Sequence, residues 1–306
     1  MHAVPRTILF RRDFQGLTGG HLKVWDYFCH ARHSVRFDPR IFLTPESVRD
    51  HGNPWCGIVP PPLAAWRPDS ADVLFLAGLD WEAVPVPAPA PVLNLVQGLR
   101  HADPHDPRHR FLSRPAIRIC VSDEVAAAIR STGRVDGPIH VIPNGIDTSM
   151  FPERPATRDI PLLIAGHKNP AFAAAVAMRL AEAGIAAECL THPCDRTTFL
   201  GLLGRAQVAL VVPFDREGFF LPAIEAMAMG AVVVCPDCVG NRGFCRDGET
   251  CFRPDYTLDE VVGAAIAATG LDAAAGGRMR AAAEAEVSRH GLAVERTAFL
   301  SILDGL

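Results

Sequence analysis

No stretch of the 306-residue sequence approaches the run of about 20 apolar residues that crosses a bilayer. The N-terminus also lacks the long apolar core of an export signal, so a cytoplasmic location is expected. Excess positive charge is missing: 30 Lys and Arg stand against 34 Asp and Glu, a net −4. That balance, without basic or aromatic repeats, argues against a nucleic-acid partner. No obvious basic amphipathic helix announces membrane binding, although peripheral contact with a membrane stays compatible with the composition. Internal repeats and low-complexity tracts are absent, and so is a G-x-G-x-x-G followed by an acidic residue, which excludes the usual dinucleotide fingerprint.

Cysteine is present in an odd count, nine, scattered through apolar segments, and reduced thiols are the expectation. Cys235 and Cys238 have zinc-like spacing, with Cys245 and Cys251 following. However, the later intervals of seven and six residues match no standard ribbon or finger, and Cys235 ends an apolar run. No metal site is expected there.

What remains is an ordinary globular composition, 49% hydrophobic and 21% charged, long enough for one large or two medium domains. One stretch organises the rest, running from Arg216 to Gly230. An apolar run, Val208 to Pro213, precedes it and another, Ala231 to Cys235, follows; both read as buried strands. Pro222 suits the first turn of a helix, where its missing N–H costs nothing. Glu217 then lies on the loop before that helix and Glu225 about one turn inside it. Free backbone N–H groups at the helix N-terminus favour an anion, and the carboxylates suit hydroxyl groups. The plainer alternative is a helix whose acids face solvent.

Glu217-Gly218-Phe219-Phe220-Leu221-Pro222, with Glu225-Ala226-Met227-Ala228 and Gly230, resembles the glutamate-x7-glutamate motif of retaining glycosyltransferases of the GT-B fold, notably glycosyltransferase family 4. The resemblance implies two facing doubly wound Rossmann-like α/β domains. It implies that Glu217 lies near donor-sugar hydroxyls as a catalytic candidate and that Glu225 holds the ribose of a sugar nucleotide. The loop of Gly218, Phe219, Phe220 and Leu221 would receive the diphosphate. Phe220 stands where the family usually has glycine.

Other segments extend the resemblance. Gly19 and Gly20 follow a first strand, Arg6 to Phe10, and open a helix; in the family this is the loop near donor phosphates and acceptor. A tight turn for close packing explains the same pair. His101, with His105 and His109 beyond it, follows the strand Val92 to Val96, where the family often carries a histidine contacting donor sugar or acceptor. A solvated loop histidine is the alternative. Ser122 is placed to cap a helix, and Pro143-Asn144-Gly145-Ile146-Asp147 is similar to the family's boundary signature. After Leu162 to Ala165, the family has an arginine and a lysine on the diphosphate. Lys168 carries over as the cation, and the arginine has no direct counterpart; His167, Arg216 and Arg242 are candidates to add charge.

The domains expected are 1–156, on the acceptor side, and 157–306, binding the nucleotide sugar, with the last helix a candidate to pack back on the first. The function implied is transfer of a sugar, hexosyl in type, from a nucleoside diphosphate sugar to a hydroxyl acceptor with retention, in glycan or glycoconjugate biosynthesis. The acceptor would be a glycan, a lipid-linked sugar or a small molecule. No cofactor and no metal is required by that chemistry. A sugar-nucleotide epimerase, a phosphorylase, or a non-catalytic sugar-nucleotide-binding protein would use the same motifs.

Overall fold

The structure, a computed structural model, describes residues 4–306. The described residues form two compact units, residues 4–144 with 292–306, and residues 145–291. In the first unit the chain runs through β1 (Arg6–Arg12), α1 (Gly19–Ala31), β2 (Phe37–Leu43), β3 (Val73–Ala77), β4 (Val92–Val96), β5 (Ile117–Cys120), α2 (Asp123–Ser131) and β6 (Ile139–Val141). In the second it runs through β7 (Ile160–Ala165), α3 (Pro170–Glu182), β8 (Glu188–Leu190), α4 (Arg196–Arg205), β9 (Ala206–Val211), α5 (Leu221–Ala228), β10 (Val232–Val234), α6 (Leu258–Thr269) and α7 (Ala273–Arg289). A last helix, α8 (Leu292–Asp304), returns to the first unit. No helix among the described residues is long and apolar enough to cross a membrane.

Both sheets are wholly parallel, six strands in the order β2-β1-β3-β4-β5-β6 and four in the order β10-β9-β7-β8. Parallel strands buried on two faces read as unbroken apolar runs, as Val73–Ala77 and Val232–Val234 do, every residue of both being buried. In each sheet the order reverses beside the first strand, between β1 and β3 and between β7 and β9. Such reversals open a crevice at the strand C-termini, where ligands of doubly wound sheets gather.

Local sequence chemistry sets the helix ends. The Ser122 hydroxyl accepts from the Val125 N–H at the start of α2, and the Thr18 hydroxyl accepts from the His21 N–H at the start of α1. At the far end of α5, Gly230 takes φ +78°, the left-handed value that glycine adopts without Cβ strain. The N–H of Ala231 reaches the Ala226 carbonyl and that of Gly230 the Met227 carbonyl, a paired C-cap that turns the chain directly into β10. The proline-rich segment 152–161 is tied to the second unit. Arg158 donates to the carbonyls of Gly204, Ala206 and Met229 at 2.7–2.8 Å.

Within the first unit α8 is held to α1 by buried charge. Lys23, 1% exposed, lies 2.8 Å from Asp26 and 2.5 Å from Glu295, with the His30 ring 3.7 Å from the same Glu295 oxygen. Phe299 packs edge-on against Tyr27 beside this cluster. His101 is buried too, at 5% exposed, on a short 3₁₀ turn after β4. Burial pushes its pKa down to about 3; Arg108, Arg100 and Arg118 push the same way and Asp106 opposes them.

Two outcomes follow from these buried groups. Breaking a buried ion pair strands a charge, so Glu295→Ala should lower the unfolding free energy by about 3 kcal/mol or more in urea titrations. The triple variant Lys23→Met/Asp26→Ala/Glu295→Leu, which also removes the second carboxylate on Lys23, should recover most of that loss; a loss below about 1 kcal/mol for Glu295→Ala, the scale of a surface pair, would rule out a clamp on α8. For His101 the unfolded chain takes the proton first, because its ordinary pKa of about 6.5 lies above the folded value. Its contribution is therefore complete above pH 6.5 and falls by roughly 1.4 kcal/mol per pH unit toward pH 3. His101→Phe should flatten the acid limb of the stability profile by about that slope, and equal limbs in both proteins would contradict the assignment.

Candidate functional site

The crevice of the second sheet is where chemistry collects. The loop after β7 carries Gly166, His167 and Lys168, and Asn169 caps α3 by accepting from the Phe172 N–H. The loop after β9 carries Glu217. Across the point where strand order reverses, the Lys168 ammonium meets Glu217 Oε1 at 2.5 Å. The same carboxylate oxygen accepts the Phe214 N–H at 3.3 Å. Lys168 is further seated on two aromatic faces, 4.9 Å from the Phe220 ring centre and 5.6 Å from that of Phe214. Burial lowers the pKa of His167, Lys168 lowers it further and Glu217 opposes, which favours the neutral ring.

Helix α5 is buried along nearly all its length, so Glu225 does not face solvent; it is 2% exposed. Burial raises its pKa, against the pull of Arg196 and then Lys168. Arg196 opens α4, whose N-cap Asp195 accepts from the Thr198 N–H, and its Nη1 lies 2.6 Å from Glu225 Oε1. Despite that approach, no donor is aligned on Oε1 for a hydrogen bond among the described residues. The guanidinium also lies over the Phe151 ring at 5.6 Å.

The donor-loop candidates divide by what their atoms already do. The Phe220 ring is buried in the core at 1% exposed, and its N–H is taken by the Gly240 carbonyl at 3.0 Å. Phe219 turns its ring against Phe244 and His290. Gly218 and Leu221 are buried, Leu221 being the first residue of α5. A second layer fixes this loop. Gly240 packs so closely that a Cβ there would lie 2.6 Å from the Glu217 carbonyl oxygen. Beside it, Val239 holds a left-handed φ of 67° and bridges to Glu217. Asn241, wholly buried, donates to the Pro236 carbonyl at 2.9 Å and to Cys235 Sγ at 3.1 Å while accepting the Cys238 N–H. Cys235, Cys238, Cys245 and Cys251 are buried free thiols in this layer. Among the described residues no group of three or more His, Cys, Asp or Glu is placed to hold a metal ion.

Of the residues expected from sequence, Glu217, Glu225, Lys168 and the loop Gly218 to Leu221 come together in the second unit. Gly19, Gly20 and His101 lie in the first. Gly19 and Gly20 start α1, where Gln97 Nε2 donates to the Gly20 carbonyl at 3.3 Å. A Cβ at Gly20 would sit 3.6 Å from Gln97, an ordinary contact, so packing alone does not demand glycine there. His101 is enclosed, while His105 is exposed and His109 approaches the His101 carbonyl at 3.2 Å. Of the arginines offered for extra charge, Arg242 is paired with Asp237 at 2.5 Å and Arg216 is exposed. The cation that reaches the site is Arg196. Its available signal was the Asp195 N-cap, which puts Arg196 at the mouth of α4 just after β8.

Residues 148–268 match the family model described as glycosyl transferases group 1. A sequence comparison with curated proteins finds no match. Among solved structures, a sucrose-phosphate synthase from Thermosynechococcus elongatus aligns with a TM-score of 0.73 at 15% identity, over 98% of each chain. Anabaena HepE in complex with UDP-glucose gives 0.73 at 14%, over 98% of this chain and 100% of that one. A glycosyltransferase from Rickettsia africae gives 0.65 at 14%, over 97% of both. At such identities the likeness establishes the fold. The chain therefore has the GT-B fold along its length, and residues 148–268, in its second unit, match the glycosyl transferases group 1.

Proposed function

We propose that the protein transfers a sugar from a nucleoside diphosphate sugar to a hydroxyl acceptor with retention at the anomeric carbon. The observation that carries this reading is the Lys168–Glu217 pair across the reversal of the second sheet, with Glu225 buried one turn inside α5. The group 1 match over 148–268 and the UDP-glucose bound by the similar Anabaena protein support it.

The physical demand is to stabilise a departing diphosphate beside a sugar that becomes oxocarbenium-like. Lys168 and the positive end of the α5 dipole offer positive potential already in place, which is where preorganised dipoles lower a barrier. That supply means no metal is required in this reading. The sugar would meet Glu217, and the ribose Glu225. In retention by this route the acceptor attacks from the face the diphosphate leaves, the sugar–oxygen bond to the diphosphate breaks, and a diphosphate oxygen takes the acceptor proton. No covalent glycosyl–carboxylate intermediate is invoked. The acceptor, hexosyl specificity and place in glycan or glycoconjugate assembly belong to the same proposal.

Incubation with UDP-, GDP-, ADP- and dTDP-sugars should give binding to at least one and slow hydrolysis without acceptor. Absence of both across the panel would overturn the reading. Interconversion of two donor sugars would indicate an epimerase, and a strict need for inorganic phosphate a phosphorylase.

Bare nucleoside diphosphate separates the two glutamates, since it carries the ribose and no sugar. Charge-assisted hydrogen bonds contribute roughly 1.5–3 kcal/mol each, so Glu225→Ala should weaken its binding about tenfold or more by calorimetry. Glu217→Gln should change that affinity little while lowering turnover of the full donor. Equal losses of nucleotide affinity in the two variants would mean the roles are wrongly divided.

A further inference from the structure

Glu225 has a charge partner and an unfilled hydrogen-bonding site at the same time. Its side chain is buried, Arg196 Nη1 stands 2.6 Å from Oε1, and yet no donor is aligned on that oxygen among the described residues. A buried carboxylate acceptor without an aligned donor is costly unless a further group completes it. Arg196 is not free to wander, because it begins a capped helix and its guanidinium rests over Phe151. Charge is thus supplied to Oε1 without an aligned hydrogen bond.

We propose, resting on the reading of Glu225 as the ribose ligand, that Arg196 is a positioning residue which holds the Glu225 carboxylate as a ready acceptor for two ribose hydroxyls. A nucleoside's diol is the ligand whose paired O–H donors match the carboxylate that Arg196 leaves unfilled. Ribose differs here from deoxyribose, so the pair also selects for ribonucleotides.

The groups around Glu225 fix how this depends on pH. Arg196 of α4 and Lys168 of the β7–α3 loop are the charges acting on it, and Lys168 is itself bonded to Glu217. Val211 of β9, Val233 of β10, and Ala283 and Val287 of α7 belong to the same buried apolar cluster as Ile224 and Ala226, the neighbours of Glu225 on α5. Burial already outweighs the two cations, and without Arg196 it would be opposed less, so the carboxyl would keep its proton to still higher pH, which removes an acceptor. Nucleotide affinity would then rise with pH as that proton leaves.

The test uses the full chain and calorimetry with UDP, GDP and ADP, taking whichever binds tightest together with its 2′,3′-dideoxy analogue. Arg196→Ala should weaken the ribonucleotide at least tenfold at pH 6 and less at pH 8.5, and should leave the dideoxy analogue nearly unaffected. Arg196→Lys, which keeps the charge, should restore most of the loss. In parallel, carbon-13 NMR of labelled glutamate, with Glu225→Gln for assignment, should show Glu225 titrating at higher pH in Arg196→Ala than in the wild type. Tighter ribonucleotide binding by Arg196→Ala would overturn the proposal, because Arg196 would then be an occupant that nucleotide must displace. Equal losses for the ribose and dideoxy ligands would also overturn it, as would an unmoved Glu225 titration. If the wild type binds none of the three nucleotides, the reading of Glu225 fails and takes this proposal with it. If it binds one and Arg196→Ala binds it equally well, only the role of Arg196 is lost.

Discussion

Placing Glu225 on a buried helix sets a condition that much of the second unit satisfies. A carboxylate shut away from water either takes a proton or is given cations. Two arrive, each from the C-terminal end of a different strand: Lys168 after β7 and Arg196 after β8. Neither could come from α5 itself, which carries no basic residue. The parallel sheet is what makes this affordable in geometry, since all its strands deliver their following loops to one edge. Glu217, from the loop after β9, completes an alternation of two acids and two bases there.

That alternation needs a loop that does not drift, and the segment from Cys235 to Cys251 supplies the backing. Asn241 satisfies backbone groups on both sides of the turn, and Gly240 admits the Glu217 backbone to a distance no other residue permits. The buried thiols fill the space behind as small apolar groups with weak hydrogen-bonding ability, which is the common use of unpaired cysteine. Their C-x-x-C spacing looks like metal chemistry in the sequence; in the fold it accompanies a packed corner.

The α/β class and parallel sheets were legible because they are written in local signals. Apolar runs of strand length, Ser122 before its helix, and Pro222 beside the start of α5 act within a few residues of themselves. The E-x7-E spacing was legible for the same reason, since a loop and one helical turn define it. Arg196 was not, because the contact that gives it meaning lies 29 positions away, at Glu225, and an arginine at a helix start looks like any solvated charge. The pairing of Lys23 with Glu295 spans 272 positions and has no sequence signature at all. His101 departs from the solvated alternative for a related reason. A histidine in a polar loop reads as accessible, whereas Arg118 and neighbouring carbonyls draw that loop inward and enclose it.

Phe220, which stands where the resembling family usually has glycine, and Lys168 meet in space. A phenylalanine at the surface of the donor loop would crowd whatever approached it. Here the ring points into the core, and its face supports the Lys168 ammonium from below. The aromatic seat and the Glu217 carboxylate together fix where the Lys168 ammonium lies. Removing the ring would take away part of the lysine's seat and leave a void in the core. Arg196 bears on the same balance from α4. Arg196 pairs with Glu225 while Lys168 pairs with Glu217, so each carboxylate has a cation of its own.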